Sequence, residues 1–214
     1  PESFPNQGKL IITPDQEVIF NDLEWDRIER HAHWRHQPKV EAHVRDLNLT
    51  SDPEGLQKHI MGTASEYAAS LYLHEPMDWF TGIRGDGGKY DLVIGDQIEG
   101  QGPCRVDVKS TGYTPPYLKF HSLQNFRADA AILAHVEGRR VRLHAWITRK
   151  GFVKRHQMRE FKKGRPVPIT VPEDMLHMVH LKAWLYDQRF KDRSIRLTSD
   201  SRERARANLR GEKA

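Results

Sequence analysis

Tyr90-Asp91-Leu92-Val93-Ile94-Gly95 and, further on, Arg105-Val106-Asp107-Val108-Lys109-Ser110-Thr111 are the segments that decide how this chain folds. Both carry the β-branched, apolar content of strands. Side chains alternate between the faces of a strand, so Asp107 and Lys109 project together while Val106 and Val108 point the other way. With Asp91 opening the preceding strand, two carboxylates and a lysine are expected at one end of a small sheet. The polar face between two valines must meet something. An ion pair on a solvated surface is the plain alternative.

Working outward, Ser51-Asp52-Pro53-Glu54 is a helix start, with an N-cap candidate, proline at the first position and Glu at the third. The helix is expected over residues 53–74, burying Leu56, Ile60, Ala64, Ala68 and Leu71 at spacings of three and four. Glu66 stands on it among Gly62, Ser65, Ala69 and Ser70. Small neighbours let the helix approach a sheet and leave room around one carboxylate. Strands are expected at residues 77–83, 90–95 and 104–110, separated by Gly-rich turns at 85–88 and 95–102. A short helical piece at 121–126 follows, then a hairpin with strands at 130–136 and 141–148 and a turn at Glu137-Gly138. Before this core, a strand at 10–13 and a helix over 22–48, broken near Pro38, read as an arm. After it, residues 149–165 read as partly helical, Pro166 and Pro168 as breakers, and 172–186 as a last helix.

The order of helix with Glu66, strand, strand with Asp91, strand with Asp107 and Lys109, helix and strand resembles the PD-(D/E)xK nuclease superfamily. The likeness spans residues 53–148, and Tyr90 stands where the family's motif has its proline. The resemblance implies an α/β fold with a restriction-endonuclease-like core: a central mixed sheet of four or five strands flanked by helices, here with an N-terminal helical arm. It also implies catalytic roles for Glu66, Asp91, Asp107 and Lys109. The metal would be held by Asp91, Asp107 and the backbone carbonyl of Val108, with Glu66 binding a second metal or a metal-bound water. Mg²⁺ is the cofactor implied, with Mn²⁺ able to substitute. The chemistry agrees, because Mg²⁺ takes oxygen ligands, keeps several waters and is usually held by one or two carboxylates plus a substrate phosphate. Lys109 would orient or help deprotonate the attacking water.

Charge is distributed unevenly along the chain. The net value is +5, yet residues 139–165 hold eleven Lys or Arg against the single acid Glu160, and residues 189–214 hold nine bases against four acids. The remainder is therefore about ten charges negative, and the basic regions are local. Clustered positive charge beside an acidic centre suits a polyanion. Arg139, Arg140, Arg142, Lys154, Arg155, Arg159, Lys162 and Lys163 are the expected nucleic-acid contacts, with the last five spaced to line a helix face. Other motifs carry less. Gly82 to Lys89 misses the phosphate-loop frame by one residue. His31, His33 and His36 do not share one helix face, and no cysteine partners them. His177 and His180 sit in an apolar helix that favours packing.

The 214 residues suffice for one well-cored domain with additions, expected as an arm at 1–50, the nuclease-like domain at 51–188 and a basic tail at 189–214. No run reaches the 18 to 20 apolar residues of a membrane helix, so no membrane partner is expected. The lone Cys104 forms no internal disulfide, and the opening residues lack secretory character, which makes a cytoplasmic setting the expectation. The expected function is Mg²⁺-dependent hydrolysis of phosphodiester bonds, with DNA endonuclease first. The other expectation is a non-catalytic nucleic-acid-binding or assembly protein on the same fold. A homodimer would suit cutting two strands. If the basic segment contacts phosphates, binding to DNA should weaken by about tenfold or more between roughly 50 and 200 mM salt, read by fluorescence anisotropy. Flat binding over that range would count against the basic contacts.

Overall fold

The computed structural model describes residues 11–13, 16–41, 52–77, 79, 90–94, 103–162 and 165–185. A mixed sheet organises them, with strand order β1 (Ile11–Ile12), β2 (Glu17–Ile19), β7 (Arg140–Thr148), β6 (Ala130–Glu137), β4 (Cys104–Thr111) and β3 (Leu92–Ile94). β10 (Leu176–His177) joins β7 beside the β2 contact. Only β4 and β6 run parallel, and every other pair is antiparallel. The sheet is therefore larger than the four or five strands expected. β1 falls in the strand expected at 10–13, whereas β2 and β10, of three and two residues, are too short for alternation to reveal.

β6 explains why this sheet has two cores. Its sequence, AAILAHVE, is apolar at nearly every position, as a strand covered on both faces must be. Ala130, Ile132 and Ala134 face a cluster with α1 (Asp22–Glu41) and α2 (Asp52–Leu73), where Ile28, Ile60, Ala64, Ala68, Val106 and Val108 are buried. Ala131 and Leu133 face a second cluster of Leu118, Phe120, Phe126, Ile147 and Phe152. Register pairs Asp107 with Ala131 and Lys109 with Leu133, which sets both charged residues at the face of the second cluster. α2 follows the expected span and buries Ile60, Ala64 and Ala68, while Leu56 and Leu71 pack against the cluster only partly buried. α1 is continuous through Pro38 rather than broken there. The proline lies within a turn of the end at Glu41, where a missing donor forfeits one helical bond. α1 places Trp25, Ile28 and Ala32 in the same cluster as α2 and the sheet.

The β6–β7 hairpin forms as expected, with Gly138 at φ 55° in its turn. The basic segment departs from expectation. After α3 (Arg149–Arg155), capped where Gly151 N–H donates to Thr148 Oγ1 at 3.0 Å, residues Gln157–Lys162 form β8 and Arg165–Thr170 form β9. With β5 (Leu118–Lys119) they make a second sheet of order β5-β9-β8. Lys154 and Arg155 therefore lie on a helix and Arg159 on a strand, and no helix face joins them. Lys163 lies outside the described residues. Pro166 and Pro168 do not end the pattern, because both turn their nitrogen toward β5: Pro168 accepts there from Phe120 N–H at 3.2 Å. β8 pairs through the intervening residues, Val167 with Arg159 and Ile169 with Gln157. The last helix is divided into a 3₁₀ turn at Pro172–Asp174, β10, and helical residues 179–185. Trp146 recruits this segment, donating its indole N–H to the carbonyl of His177 at 3.1 Å.

The strand expected at 77–83 falls largely outside the described residues, and so do the turns at 85–88 and 95–102 and the tail from 186. No described helix is long and apolar enough to cross a membrane. Phe152 is fully buried against Phe120 and Phe126, with ring centroids at 5.1 and 5.5 Å, and fastens α3 to the second cluster. Phe152→Ala should lower the unfolding free energy by about 3 to 5 kcal/mol in denaturant titration.

Candidate active site

β3 and β4 part company at the site. Leu92 pairs with Val106, and Asp91 N–H still donates to the Val106 carbonyl at 3.1 Å. One step further the ladder would set Tyr90 opposite Val108. Tyr90 instead packs against the second cluster, its ring 5.0 Å from the Arg105 guanidinium. The vacated position is filled by a side chain: Val108 N–H donates to Asp91 Oδ2 at 2.6 Å. Strand geometry turns the carbonyl of a residue to the same edge as its N–H in an antiparallel ladder, so the Val108 carbonyl faces this fork as well.

Asp107 and Lys109 stand together as alternation requires, with Lys109 Nζ donating to Asp107 Oδ1 at 2.5 Å. Asp107 is buried, whereas the Lys109 side chain keeps 39 % of its exposure. The ammonium also lies 5.7 Å from the centre of the Phe120 ring. Glu66 joins from α2. Burial, then the charges of Glu66 and Asp107, push the Asp91 carboxyl well above the usual aspartate range. A hydrogen bond to Asp107, which only the protonated acid can donate, pushes the same way, and Lys109 opposes them. Burial would lower the Lys109 ammonium, but Asp107, Asp91 and Glu66 outweigh it and hold it above its ordinary value. All four expected catalytic residues thus interact electrostatically at one place.

The sequence did not announce Arg35. This α1 residue donates from Nη1 to Glu66 Oε2 at 2.8 Å, and both side chains are largely buried. Its partner lies 31 residues away on another helix, so no local pattern could have found it. Three carboxyl groups thus meet two cations, Lys109 and Arg35, and one net negative charge would remain with all three ionised.

No protein-family model, curated protein or solved structure matches the chain. The site is therefore read from its own chemistry. Among the described residues, no group of three or more His, Cys, Asp or Glu is drawn together in ligand geometry. The donors at the fork are nonetheless all hard oxygens, and Mg²⁺ usually needs only one or two protein carboxylates beside water and phosphate. Asp91, Asp107 and the Val108 carbonyl fit that requirement, and the crowding at Asp91 is of the sign a cation would relieve.

The basic residues divide into separate groups. Arg139 is ion-paired with Asp22, while Arg140 and Arg142 reach Glu17 at 3.7 and 3.1 Å. These three sit at the turn end of the β6–β7 hairpin, several residues along the sheet from Lys109, and their charge is partly answered by Glu17 of β2 and Asp22 of α1. Arg155 donates to the Asp174 carbonyl at 2.8 Å. Arg159 lies on the second sheet beside Tyr117 and Phe161. His31 hydrogen-bonds the Trp79 carbonyl at 2.6 Å and stacks edge-on with the Trp79 ring, which is a packing role.

A raised carboxyl means that ionising Asp91 costs folding free energy. The stability it contributes is complete below the ordinary aspartate value of 3.8 and is lost as pH rises through its higher value in the fold. Asp91→Asn keeps an acceptor for Val108 and removes that loss. It should therefore be more stable than the parent by about 1 kcal/mol at neutral pH in EDTA, with the gain shrinking as pH falls toward 3.8. Thermal unfolding followed across pH checks this.

Proposed function

We propose that this protein is a Mg²⁺-dependent nuclease that hydrolyses phosphodiester bonds in DNA, acting as an endonuclease on a PD-(D/E)xK site. The observation that carries the reading is the fork between β3 and β4. There Asp91 replaces a strand residue in the ladder, the Val108 backbone is turned to the same edge, and Asp107 and Lys109 lie alongside. A surface ion pair would not need a crowded second carboxylate such as Asp91, half-buried beside it, nor a fourth group brought from α2.

Each residue has a distinct task. Asp91, Asp107 and the Val108 carbonyl would hold the cation, and Glu66, kept in place by Arg35, would hold a second ion or a coordinated water. When bound, the cation supplies charge neutralisation at the phosphate and a more acidic water. Lys109 is held as an ammonium by its carboxylate neighbours, so its first work is to donate. It would orient the attacking water and stabilise negative charge on the phosphoryl oxygens. Asp107 fixes that ammonium by the 2.5 Å contact, which makes the two residues one functional unit.

The test is incubation of supercoiled plasmid and linear duplex DNA with Mg²⁺, Mn²⁺ or EDTA. Wild type should nick or linearise the plasmid only with metal. Asp107→Ala should reduce cleavage below detection, and Lys109→Ala should reduce it by about 10² to 10⁴ with folding intact by circular dichroism. Cleavage that survives Asp107→Ala would exclude this site, and digestion confined to linear DNA would replace the endonuclease reading with an exonuclease one.

A further inference from the structure

Four residues beyond Lys109, the chain begins an aromatic stack that the proposed hydrolysis does not use. Tyr113 N–H donates to Oγ1 of Thr111, the last residue of β4, at 3.2 Å, which ties the start of the stack to the site strand. The Tyr113 ring then stacks on Tyr117 with centroids 5.4 Å apart and planes 17° apart. Tyr117 stacks in turn on Phe161 of β8 at 5.2 Å and 27°. The outer rings are open to solvent, with Tyr113 65 % and Phe161 41 % exposed. Three stacked rings beside a small sheet are costly to leave in water, and two of them are exposed.

Cations edge this stack. The Arg159 guanidinium lies 5.9 Å from the Tyr117 centre and 5.3 Å from that of Phe161, and Lys119 Nζ lies 5.3 Å from the Phe161 centre. Strand register puts Lys119 opposite Ile169 and Arg159 opposite Val167, so both cations rise from one face of the second sheet. Phe120, the residue that follows β5, turns the other way, beneath Lys109. The consecutive residues Lys119 and Phe120 thus serve the aromatic face on one side and the hydrolytic lysine on the other. Exposed flat rings with cations beside them meet the physical requirements for holding an unpaired polynucleotide strand: bases stack on the open rings and phosphates meet the charges.

We propose that Tyr113, Tyr117 and Phe161, edged by Lys119 and Arg159, form a stacking platform for the unpaired bases of single-stranded DNA, leading that strand to Lys109. The proposal deepens the nuclease reading and rests on it for the purpose of the platform, though its binding step does not require cleavage. The rings accept any base, so the platform confers a preference for unpaired structure rather than for sequence. Duplex DNA, whose bases already stack on one another, offers it only phosphates.

The test is equilibrium binding in EDTA, where no hydrolysis occurs, using the full chain and three fluorescein-labelled probes of about twelve units: oligodeoxythymidine, a fully abasic phosphodiester and a duplex. Wild type should bind oligodeoxythymidine about tenfold or more tightly than the abasic probe, with the duplex resembling the latter. Tyr113→Ala and Phe161→Ala should each erase most of that difference while leaving abasic binding unchanged, and Tyr113→Phe, which keeps the ring, should retain it. Equal binding of base-bearing and abasic probes by wild type would overturn the proposal, as would an intact preference in both alanine variants. A wild-type dimer in sedimentation that Phe161→Ala converts to monomer would also overturn it, by showing that a second copy covers the rings. The base preference can hold while plasmid cleavage fails, and cleavage can hold while the preference fails, so the two readings fall separately.

Discussion

The hydrogen bond from Val108 N–H to Asp91 Oδ2 governs the arrangement around it. A backbone donor inside a sheet must find an acceptor, and here the neighbouring strand has turned away before supplying one. A carboxylate supplies it instead. The bond fixes Asp91 at the end of β3, frees Tyr90 to pack on the opposite face, and brings a second acid beside Asp107. Every further element of the site answers the negative charge collected there: Lys109 on the same strand, and Arg35 on Glu66 across the two helices.

This concentration of charge is held by a core divided between two faces of one sheet. α2 approaches closely because Ala64, Ala68, Ala130 and Ala134 are small, and that approach brings Glu66 within electrostatic reach of the strand residues. On the other face, Phe120, Phe126 and Phe152 form a compact aromatic block that supports β5 and α3. Lys109 meets that block on one side, so its position depends on packing as well as on its carboxylate partners. Folding free energy and site geometry therefore draw on the same contacts.

How much of this could be read from the sequence depended on the range of the interaction. Asp107 and Lys109 were legible because alternation is a property of the strand itself. Glu66 was legible because small residues surround it on its own helix. The β6–β7 hairpin announced itself through two apolar runs and Gly138. β8 and β9 were hidden, since a basic composition interrupted by two prolines resembles neither a strand nor a core, and their pairing depends on which edge each proline nitrogen faces. β2 and β10 were too short to show a period. Arg35 and the stacking of Phe161 on Tyr117 join residues far apart in the chain, and only the fold brings them together.

The bond from Arg35 to Glu66 bears on how the chain is divided into parts. Residues before α2 have the composition of an attachment, and the most natural boundary for a minimal catalytic fragment would fall just ahead of Asp52. Such a fragment would retain all four acidic and basic residues of the fork and still lack the counterion of one of them. Its Glu66 would lose the guanidinium that faces it across the helices, and Ile28, Ala32 and Trp25 would be missing from the packing beneath it. The functional unit is thus not the contiguous block that carries the motif. It begins a helix earlier, and modularity drawn from motif boundaries would cut through the site.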